Sequence, residues 1–339
     1  MKLKSKENRF KNLVLSISLF LLTINNISVA QPELTGFFDV INTQNFTENE
    51  YSQFQINQFE LDISYAHQSR FSLGTAVAYN NVTQNMELAM AYAHYNFINE
   101  EGIHPRREET TNHTGIIVGK FDMHFGLDHM SFASPDRPIA SQPLVYEKTI
   151  GGWSDTGVDF HMLHNDFSFH VWAVNGFYEG ISLGGNLRYS FLPFLSVGVS
   201  QSTDFVKIDE TKASITGLDI LIGTEILEIK SEYLWAKGIY AGKQDTLGTE
   251  EMHEGFYVQA LTQLDELISL PMFFTLRYGQ WNSKEDRDFN GIIDSENRFT
   301  VGLGYQFHEN VSARLELLSN KIENQKRFHQ GTLQLVVAF

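Results

Sequence analysis

The chain has 339 residues, with 25 basic and 41 acidic side chains, a net charge of −16 and no cysteine. The absence of cysteine excludes disulfides, thiolate metal sites and a thiol nucleophile. Because the chain is acidic and lacks a basic patch, we expect no nucleic-acid partner.

The first 30 residues have the pattern of an export signal. Five basic residues between Lys2 and Lys11 precede the apolar run 13–22, and Ser28-Val29-Ala30 provides small residues for cleavage. A single transmembrane helix is the alternative, but the run is shorter than the roughly 20 apolar residues that a helix needs to cross a bilayer. We predict a signal peptide over residues 1–30 and one exported domain over residues 31–339. The exported domain has 20 basic and 40 acidic residues, a net charge of −20.

From residue 31 onward, apolar and polar residues alternate in segments of about ten, separated by turn-like clusters. We count sixteen such segments and find no clear amphipathic helix. The clearest segment alternates apolar residues with acids: Phe59, Glu60, Leu61, Asp62, Ile63, Ser64 and Tyr65. Carboxylates inside a strand are costly in an apolar core but acceptable beside water. The pattern predicts an all-β fold, a single closed antiparallel transmembrane barrel of about 16 strands around an aqueous lumen.

The last segment, 331–339, predicts the strand that closes this barrel. Leu333, Leu335, Val337 and the terminal Phe339 share one face, and polar residues occupy the other. Lipid contains no water to satisfy a free sheet edge, so closure against the first strand is required. We expect lipid as a partner, and the barrel-assembly machinery as a second partner through this C-terminal strand. A soluble sandwich or barrel, whose last strand also alternates, is the alternative.

Charged residues on the polar strand faces are the predicted pore lining, where they would bias ion choice. The acidic members are Asp39, Glu60, Asp62, Glu87, Asp159, Asp219, Glu232 and Glu316. The basic members are Arg188, Lys230, Arg277, Arg298 and Arg314.

The longest interruption of the strand pattern runs from Gly126 to Trp153. Three prolines make it stiff and unable to pair as a strand, and its aromatic residues favour packing over solvation. We predict a long third outer loop that folds inward as a constriction; a disordered loop is the alternative. Its charged residues are Asp128, Asp136, Arg137, Glu147 and Lys148. A second long connector, 98–113, falls on the side where short turns are expected and is the weakest point of the strand count.

The chain resembles bacterial outer-membrane porins, in particular the phosphate-selective porin family. The likeness lies in degenerate strand patterns across most of the exported domain. These are Val118-Gly119-Lys120-Phe121, Val174-Asn175-Gly176, Gly217-Leu218-Asp219 with Glu232-Tyr233, the stretch 255–260 and the stretch 300–305.

The resemblance implies a sixteen-stranded outer-membrane channel, usually a homotrimer, with an inward constriction loop. It also implies a basic lumen that selects anions, and here the sequence departs from the family. Eight predicted inward acids stand against five predicted inward bases. Rings of one charge attract ions of the other, so phosphate selectivity does not carry over.

The segment from Asp286 to Asn297 resembles a calcium loop. Asp286, Asp288, Asn290 and Asp294 take ligand positions, but Asn297 stands where a bidentate Glu belongs. Either the loop binds Ca²⁺ weakly or it is a solvated acidic loop. We expect no other cofactor.

Histidines cluster in sequence between residues 124 and 170, but neither a metalloprotease helix motif nor a nucleophile elbow occurs. We therefore expect no enzyme, although a barrel hydrolase whose Ser, His and acid meet only in space stays open. The leading hypothesis is an outer-membrane porin for passive diffusion of small hydrophilic solutes or ions. The alternative is a plugged barrel that binds surfaces through its outer loops.

Overall fold

The computed structural model describes residues 32–47, 53–67, 70–80, 84–99, 112–177, 180–205, 212–239, 252–284, 293–323 and 325–339. Sixteen strands form one closed antiparallel barrel in which each strand pairs with its neighbours in sequence. The fold class and the strand number predicted from the alternation are confirmed. The strands are β1 (Glu33–Asn45), β2 (Phe54–His67), β3 (Phe71–Asn80), β4 (Asn85–Asn99), β5 (His113–Asp122), β6 (Ser154–His164), β7 (Phe167–Asn175), β8 (Ile181–Leu192), β9 (Leu195–Asp204), β10 (Ser214–Gly223), β11 (Leu227–Lys237), β12 (Met252–Gln263), β13 (Met272–Lys284), β14 (Ile293–His308), β15 (Val311–Ile322) and β16 (Phe328–Ala338).

The last strand closes the barrel against the first. Phe37 pairs with Ala338, and the register continues to Asn45 opposite Gln330. Beyond the strand, the backbone N–H of Gly36 donates to the carbonyl of Phe339 at 3.0 Å, and the N–H of Phe339 donates back at 2.9 Å. Closure leaves no free sheet edge, as a barrel in lipid requires. We call the end of the barrel that holds this junction the terminal end.

The barrel is apolar outside and polar inside. Outward residues such as Leu218, Trp235 and Leu303 are 54%, 45% and 39% exposed. Charged residues that face inward, such as Glu232 and Arg277, are 1% and 4% exposed. Soluble proteins bury the apolar residues instead. Period-two alternation places one residue class on each face, and this distribution fits a wall between lipid and a polar interior.

Connections at the terminal end are short where the structure describes them. Asn165 and Asp166 join β6 to β7, and Glu309 and Asn310 join β14 to β15. A four-residue helix α2, Asp265–Ile268, lies between β12 and β13. None of the helices in the described ranges is long and apolar enough to cross a membrane.

Several predictions fall outside the described residues. These are the signal peptide 1–30, most of the connector 98–113, and Asp286, Asp288 and Asn290 of the calcium hypothesis. β4 continues to Asn99, so its last residues lie in strand where a connector was predicted. Asp294 lies in β14, with its backbone opposite Ser283. The signal peptide and the calcium site stay predictions.

Candidate functional site

The segment between β5 and β6 folds into the barrel. β5 ends at Asp122, although the predicted interruption of the strand pattern begins only at Gly126, because Met123 to Phe125 already turn inward. The segment contains two 3₁₀ turns, Asp128–Ser131 and Ser134–Asp136, and a short helix α1, Leu144–Lys148. We call residues 123–153 the inner loop.

Apolar packing attaches the inner loop to the wall at the end opposite the termini. Met123, Phe125, Leu144 and Val145 are at most 1% exposed, since each lies against inward apolar side chains of the strands. Burying such side chains stabilises the attachment by about 1.5–3 kcal/mol each. Their wall partners in this cluster are Phe121, Trp172, Val174, Ile215, Leu234, Ala236, Tyr257 and Trp281.

Glycines on inward strand positions make room for this packing. A Cβ at Gly255 would meet Val145 at 3.0 Å, and one at Gly217 would meet Phe125 at 3.0 Å. At Gly302 it would collide with Ile139, which is 1% exposed. Any larger residue at these positions would push the loop away from the wall. In the sequence, these glycines alternate with outward apolar residues and can be assigned to the inward face. Which loop residue each glycine contacts could not be identified without the fold.

Glu232 on β11 is the central polar anchor of the inner loop. Its carboxylate accepts hydrogen bonds from the Leu127 N–H at 2.8 Å, the Tyr146 hydroxyl at 2.7 Å and the Tyr257 hydroxyl at 2.5 Å. A buried carboxylate with three donors is satisfied without a cation. Gly126 turns the chain toward it with a φ of +68°, a conformation that favours glycine.

Tyr146 is therefore a neutral donor to a buried acceptor. Burial, reinforced by the nearby Glu232 carboxylate, raises the pKa of Tyr146 well above its usual value. The hydroxyl therefore keeps its proton at physiological pH and remains a hydrogen-bond donor.

Two inward arginines hold the middle of the inner loop. Arg277 on β13 donates from Nη2 to the Ser141 carbonyl at 3.0 Å and to the Ser141 hydroxyl at 2.6 Å. Arg314 on β15 donates to the Ser134 carbonyl at 2.5 Å and to the Pro135 carbonyl at 3.2 Å. Both guanidiniums bind backbone oxygens of the loop, so neither stands open to the lumen.

Ion pairs hold the C-terminal part of the inner loop. Arg298 Nη1 lies 2.5 Å from Glu147 Oε2, and Lys148 Nζ lies 2.9 Å from Glu296 Oε2. The side chain of Arg298 is 7% exposed, whereas that of Glu147 is 44% exposed and reaches lumen water. Burial alone would raise the pKa of Glu147, but the charge and hydrogen bonds of Arg298 outweigh burial and lower it.

The other two predicted inward bases, Lys230 and Arg188, also contact acidic or polar side chains. Lys230 donates to the Ser131 hydroxyl at 3.0 Å and lies 3.8 Å from Asp128. Arg188 lies 3.0 Å from Asp219, and its side chain is 14% exposed.

Within the loop, Arg137 is buried and binds the carbonyls of Ser131 and Phe132, so it organises the loop's own fold. Asp136 ends the second 3₁₀ turn, beside Arg137.

The inner loop also reaches the opposite side of the barrel. The Ser134 hydroxyl donates to Gln58 Oε1 on β2 at 2.6 Å, and Gly126 N–H donates to Ser200 on β9 at 2.9 Å. β2 and β9 are seven positions apart in the ring of sixteen, so the loop crosses the lumen. Glu316 accepts from the Ser141 N–H and hydroxyl, both at 2.9 Å.

Asp39 on β1 is completely buried beside this crossing. Its carboxylate accepts from Gln334 Nε2 at 2.5 Å, from Asn57 Nδ2 at 3.0 Å and from the Gln58 N–H at 2.7 Å. Asp39 thus connects the first, second and last strands with hydrogen bonds.

Three predicted lining residues keep water access. Glu60 and Asp62 on β2 are half-buried, and Glu87 on β4 is exposed. Glu60 and Glu87 each lie opposite Ala78, so they share one row across β2, β3 and β4. We call Glu60, Asp62 and Glu87 the acidic wall. Asp159, by contrast, is completely buried among histidines.

Comparison with solved structures identifies the fold. No model of a protein family matches the chain, and no curated protein matches it in sequence. OmpF of Salmonella typhi, in complex with daunomycin, superposes with a TM-score of 0.67 at 13% identity, over 91% of this chain and 97% of that one. The fold is that of an outer-membrane porin.

Two further structures agree with this porin fold. OmpT of Vibrio cholerae, an outer-membrane protein, gives a TM-score of 0.61 at 10% identity over 93% of this chain and all of that one. OccK5 (OpdH) of Pseudomonas aeruginosa gives 0.52 at 11% identity over 91% and 97%. At these identities the likeness concerns the fold. The likeness to phosphate-selective porins stays a resemblance of sequence patterns.

Proposed function

We propose that the protein is an outer-membrane channel for passive diffusion of small hydrophilic solutes, with a preference for cations. The porin fold, the apolar outer belt and the polar interior support this proposal. By the usual arrangement of such barrels, the terminal end faces the periplasm and the inner loop enters from outside. No step of this function requires a catalytic group, so we propose that the protein is not an enzyme.

One observation carries the cation preference. The inward bases on β8, β11, β13, β14 and β15 bind the inner loop or a neighbouring acid, and none of these side chains is more than 14% exposed. The acidic wall is half-buried to exposed and meets water. Ions respond to the charge that lines the open part of a pore, so the effective lining is negative although the strand faces carry both signs.

The same geometry supports small solutes. The inner loop spans from Gln58 to Ser200 and contacts β12, β13 and β16. Solutes would then pass between this loop and the acidic wall on β2 and β4. The channel would thus be bounded on one side by the inner loop, which packs closely against the strands, and on the other side by the water-exposed acidic wall.

A plugged barrel that binds surfaces is the second candidate. The apolar cluster between the inner loop and the strands favours it, because fifteen buried residues fill part of the interior. In that case the outer connections would carry the function.

Conductance in planar lipid bilayers separates the two candidates. Stable open steps support the channel, and their absence, with correctly folded protein in the bilayer, supports the plugged barrel. A reversal potential measured in a KCl gradient then tests selectivity. A reversal potential of the sign expected for cation-selective permeation supports the role of the acidic wall. A clear reversal potential of the opposite sign, which indicates anion selectivity, would overturn it.

We further propose a homotrimer, assembled in the outer membrane through the C-terminal strand by the barrel-assembly machinery. One neighbouring structure, OmpT of Vibrio cholerae folded in vitro, is described as a trimer form, with a TM-score of 0.61 at 11% identity. Migration of the unheated protein on a gel, compared with chemically cross-linked protein, tests the trimer. A single monomer band in both would contradict it.

A further inference from the structure

Histidines from three separate elements converge on one buried carboxylate in the lumen, and a histidine from a fourth element lies behind them. Asp159 on β6 is completely buried. His161 on the same strand, His170 on β7 and His124 at the start of the inner loop surround it. His94 on β4 lies behind His161, with 3.2 Å between their Nε2 atoms. We call these five residues the histidine cluster.

His170 is within hydrogen-bond distance of Asp159, whereas the distances from His124 and His161 to Asp159 suit an ion held between the ligands. His170 Nδ1 lies 3.1 Å from Asp159 Oδ1, His124 Nδ1 lies 3.6 Å from Oδ2, and His161 Nδ1 lies 3.7 Å from Oδ1. Ligands about 2.0–2.2 Å from a tetrahedral Zn²⁺ stand about 3.3–3.6 Å apart. One ligand atom each from His124, Asp159 and His170 lies within 4.8 Å of the others.

Two of these imidazoles lack hydrogen bonds at the nitrogen that faces Asp159. His124 Nδ1 and His161 Nδ1 are buried and make no hydrogen bond in the described structure. Distances of 3.6 and 3.7 Å to the carboxylate are too long for one. Buried polar atoms are normally satisfied, so these nitrogens require a partner.

The contact behind the cluster is compatible with His161 as a metal ligand in one of its two tautomers. Between His161 Nε2 and His94 Nε2 only one hydrogen can be shared, so one ring donates and the other accepts. When His161 donates, its Nδ1 carries a lone pair that faces the negative carboxylate. A metal ligand histidine commonly donates its other N–H in this way. A cation between Nδ1 and Asp159 removes the repulsion.

We propose that the histidine cluster binds one divalent transition-metal ion inside the barrel, with His124, Asp159 and His170 as ligands and His161 as a fourth. Imidazole nitrogens with a single carboxylate favour Zn²⁺, Co²⁺, Ni²⁺ or Cu²⁺ over Ca²⁺ or Mg²⁺. Because His124 belongs to the inner loop and the other ligands belong to the wall, the ion fastens the first turn of the loop to β6 and β7. This binding site does not depend on conduction.

Absorption spectroscopy with Co²⁺ on the purified, folded barrel tests the site directly. We expect one equivalent of Co²⁺ to give the visible bands of a tetrahedral complex and to be displaced by Zn²⁺. His124→Gln and His170→Gln should each weaken Co²⁺ binding at least about tenfold. His164→Gln is the matched control, because His164 is exposed at the terminal end of β6 and should leave binding unchanged.

Folding is checked separately, so a lost site is not confused with a lost barrel. His124 lies on the loop, and His124→Gln should keep the heat-modifiable gel migration of the folded barrel. If the wild-type protein gives no Co²⁺ bands, the proposal is wrong and the cluster is a hydrogen-bonded group around Asp159. Equal Co²⁺ affinity in His124→Gln, His170→Gln and His164→Gln would also overturn it.

Discussion

The hydroxyl of Tyr146 on the inner loop lies 2.7 Å from the carboxylate of Glu232 on β11. The two residues are 86 positions apart, and both are buried, at 3% and 1% exposure. This contact attaches the inner loop to the wall at the point where the apolar cluster meets the polar lumen. The contact holds the loop against the barrel wall, and its contribution to the free energy of unfolding can be measured.

Tyr146→Phe removes one of three donors to a buried carboxylate. We expect the free energy of unfolding to fall by about 1–3 kcal/mol, because the charged acceptor loses a hydrogen bond that no water replaces. Denaturant unfolding of the barrel in lipid vesicles measures the change. Tyr233→Phe is the control, since Tyr233 is outward and 41% exposed, with its hydroxyl 3.1 Å from Glu254. Equal losses in both variants would contradict the anchoring role.

Acid should loosen the inner loop through Glu147. Its pKa is lower in the folded protein than its usual value of 4.5, so the pair with Arg298 stabilises the attached loop above that value. The contribution is lost as the pH falls through the lowered pKa. We expect current noise in single channels to rise as the pH falls from neutral to values below 4.5.

Arg298→Gln should produce the same noise at neutral pH, and acid should then add little. Arg327→Gln is the control, because Arg327 is exposed and its guanidinium donates to the Ser319 hydroxyl at 3.4 Å, away from the inner loop's ion pairs. A pH response that Arg298→Gln leaves intact would assign the acid effect to another group.

The acidic wall should set ion preference. In Glu60→Gln with Asp62→Asn, we expect the cation-to-anion permeability ratio to fall severalfold, because two charges that meet lumen water are removed. Reversal potentials in a salt gradient measure the ratio. Glu309→Gln, in an exposed turn at the terminal end, should change it little. An unchanged ratio in the double variant would place the selectivity elsewhere.

Gly302→Val should displace the inner loop. A Cβ at Gly302 already collides with the buried Ile139, so a branched side chain must push the loop into the lumen or off the wall. We expect altered unit conductance together with lower stability, by about 1–3 kcal/mol for overpacking. Gly223→Val is the matched control, because nothing lies within 4 Å of the Cβ position there. If both variants conduct like the wild type, the close packing at Gly302 does not position the loop.

A charged residue on the apolar outer face of the barrel should destabilise the protein more than one in a turn at the end of the barrel. Leu276→Arg places a guanidinium on the outward, apolar side of β13. A charge that faces lipid near the bilayer midplane costs about 2–4 kcal/mol of stability. Leu267→Arg changes a leucine that is 59% exposed but lies in the turn helix α2, and should cost much less. Unfolding from lipid vesicles gives both values. Similar losses would argue against a membrane belt at Leu276.

The sequence by itself determined the barrel. Alternation with period two decides which face of a strand each residue takes, and this is a local property that needs no knowledge of the neighbours. That is why the sixteen strands, the closure through residues 331–339 and the inward side of Asp39, Glu232 and Arg314 could be predicted.

Only the tertiary structure decided what those inward residues do. The inner loop departs from Asp122 and returns at Ser154, and its path depends on contacts with strands far away in sequence. Arg277 and Arg298 were predicted to line the pore, and both bind the loop instead of standing open to water. Charge on a strand face can be read from periodicity, whereas access to water depends on which distant segment covers it.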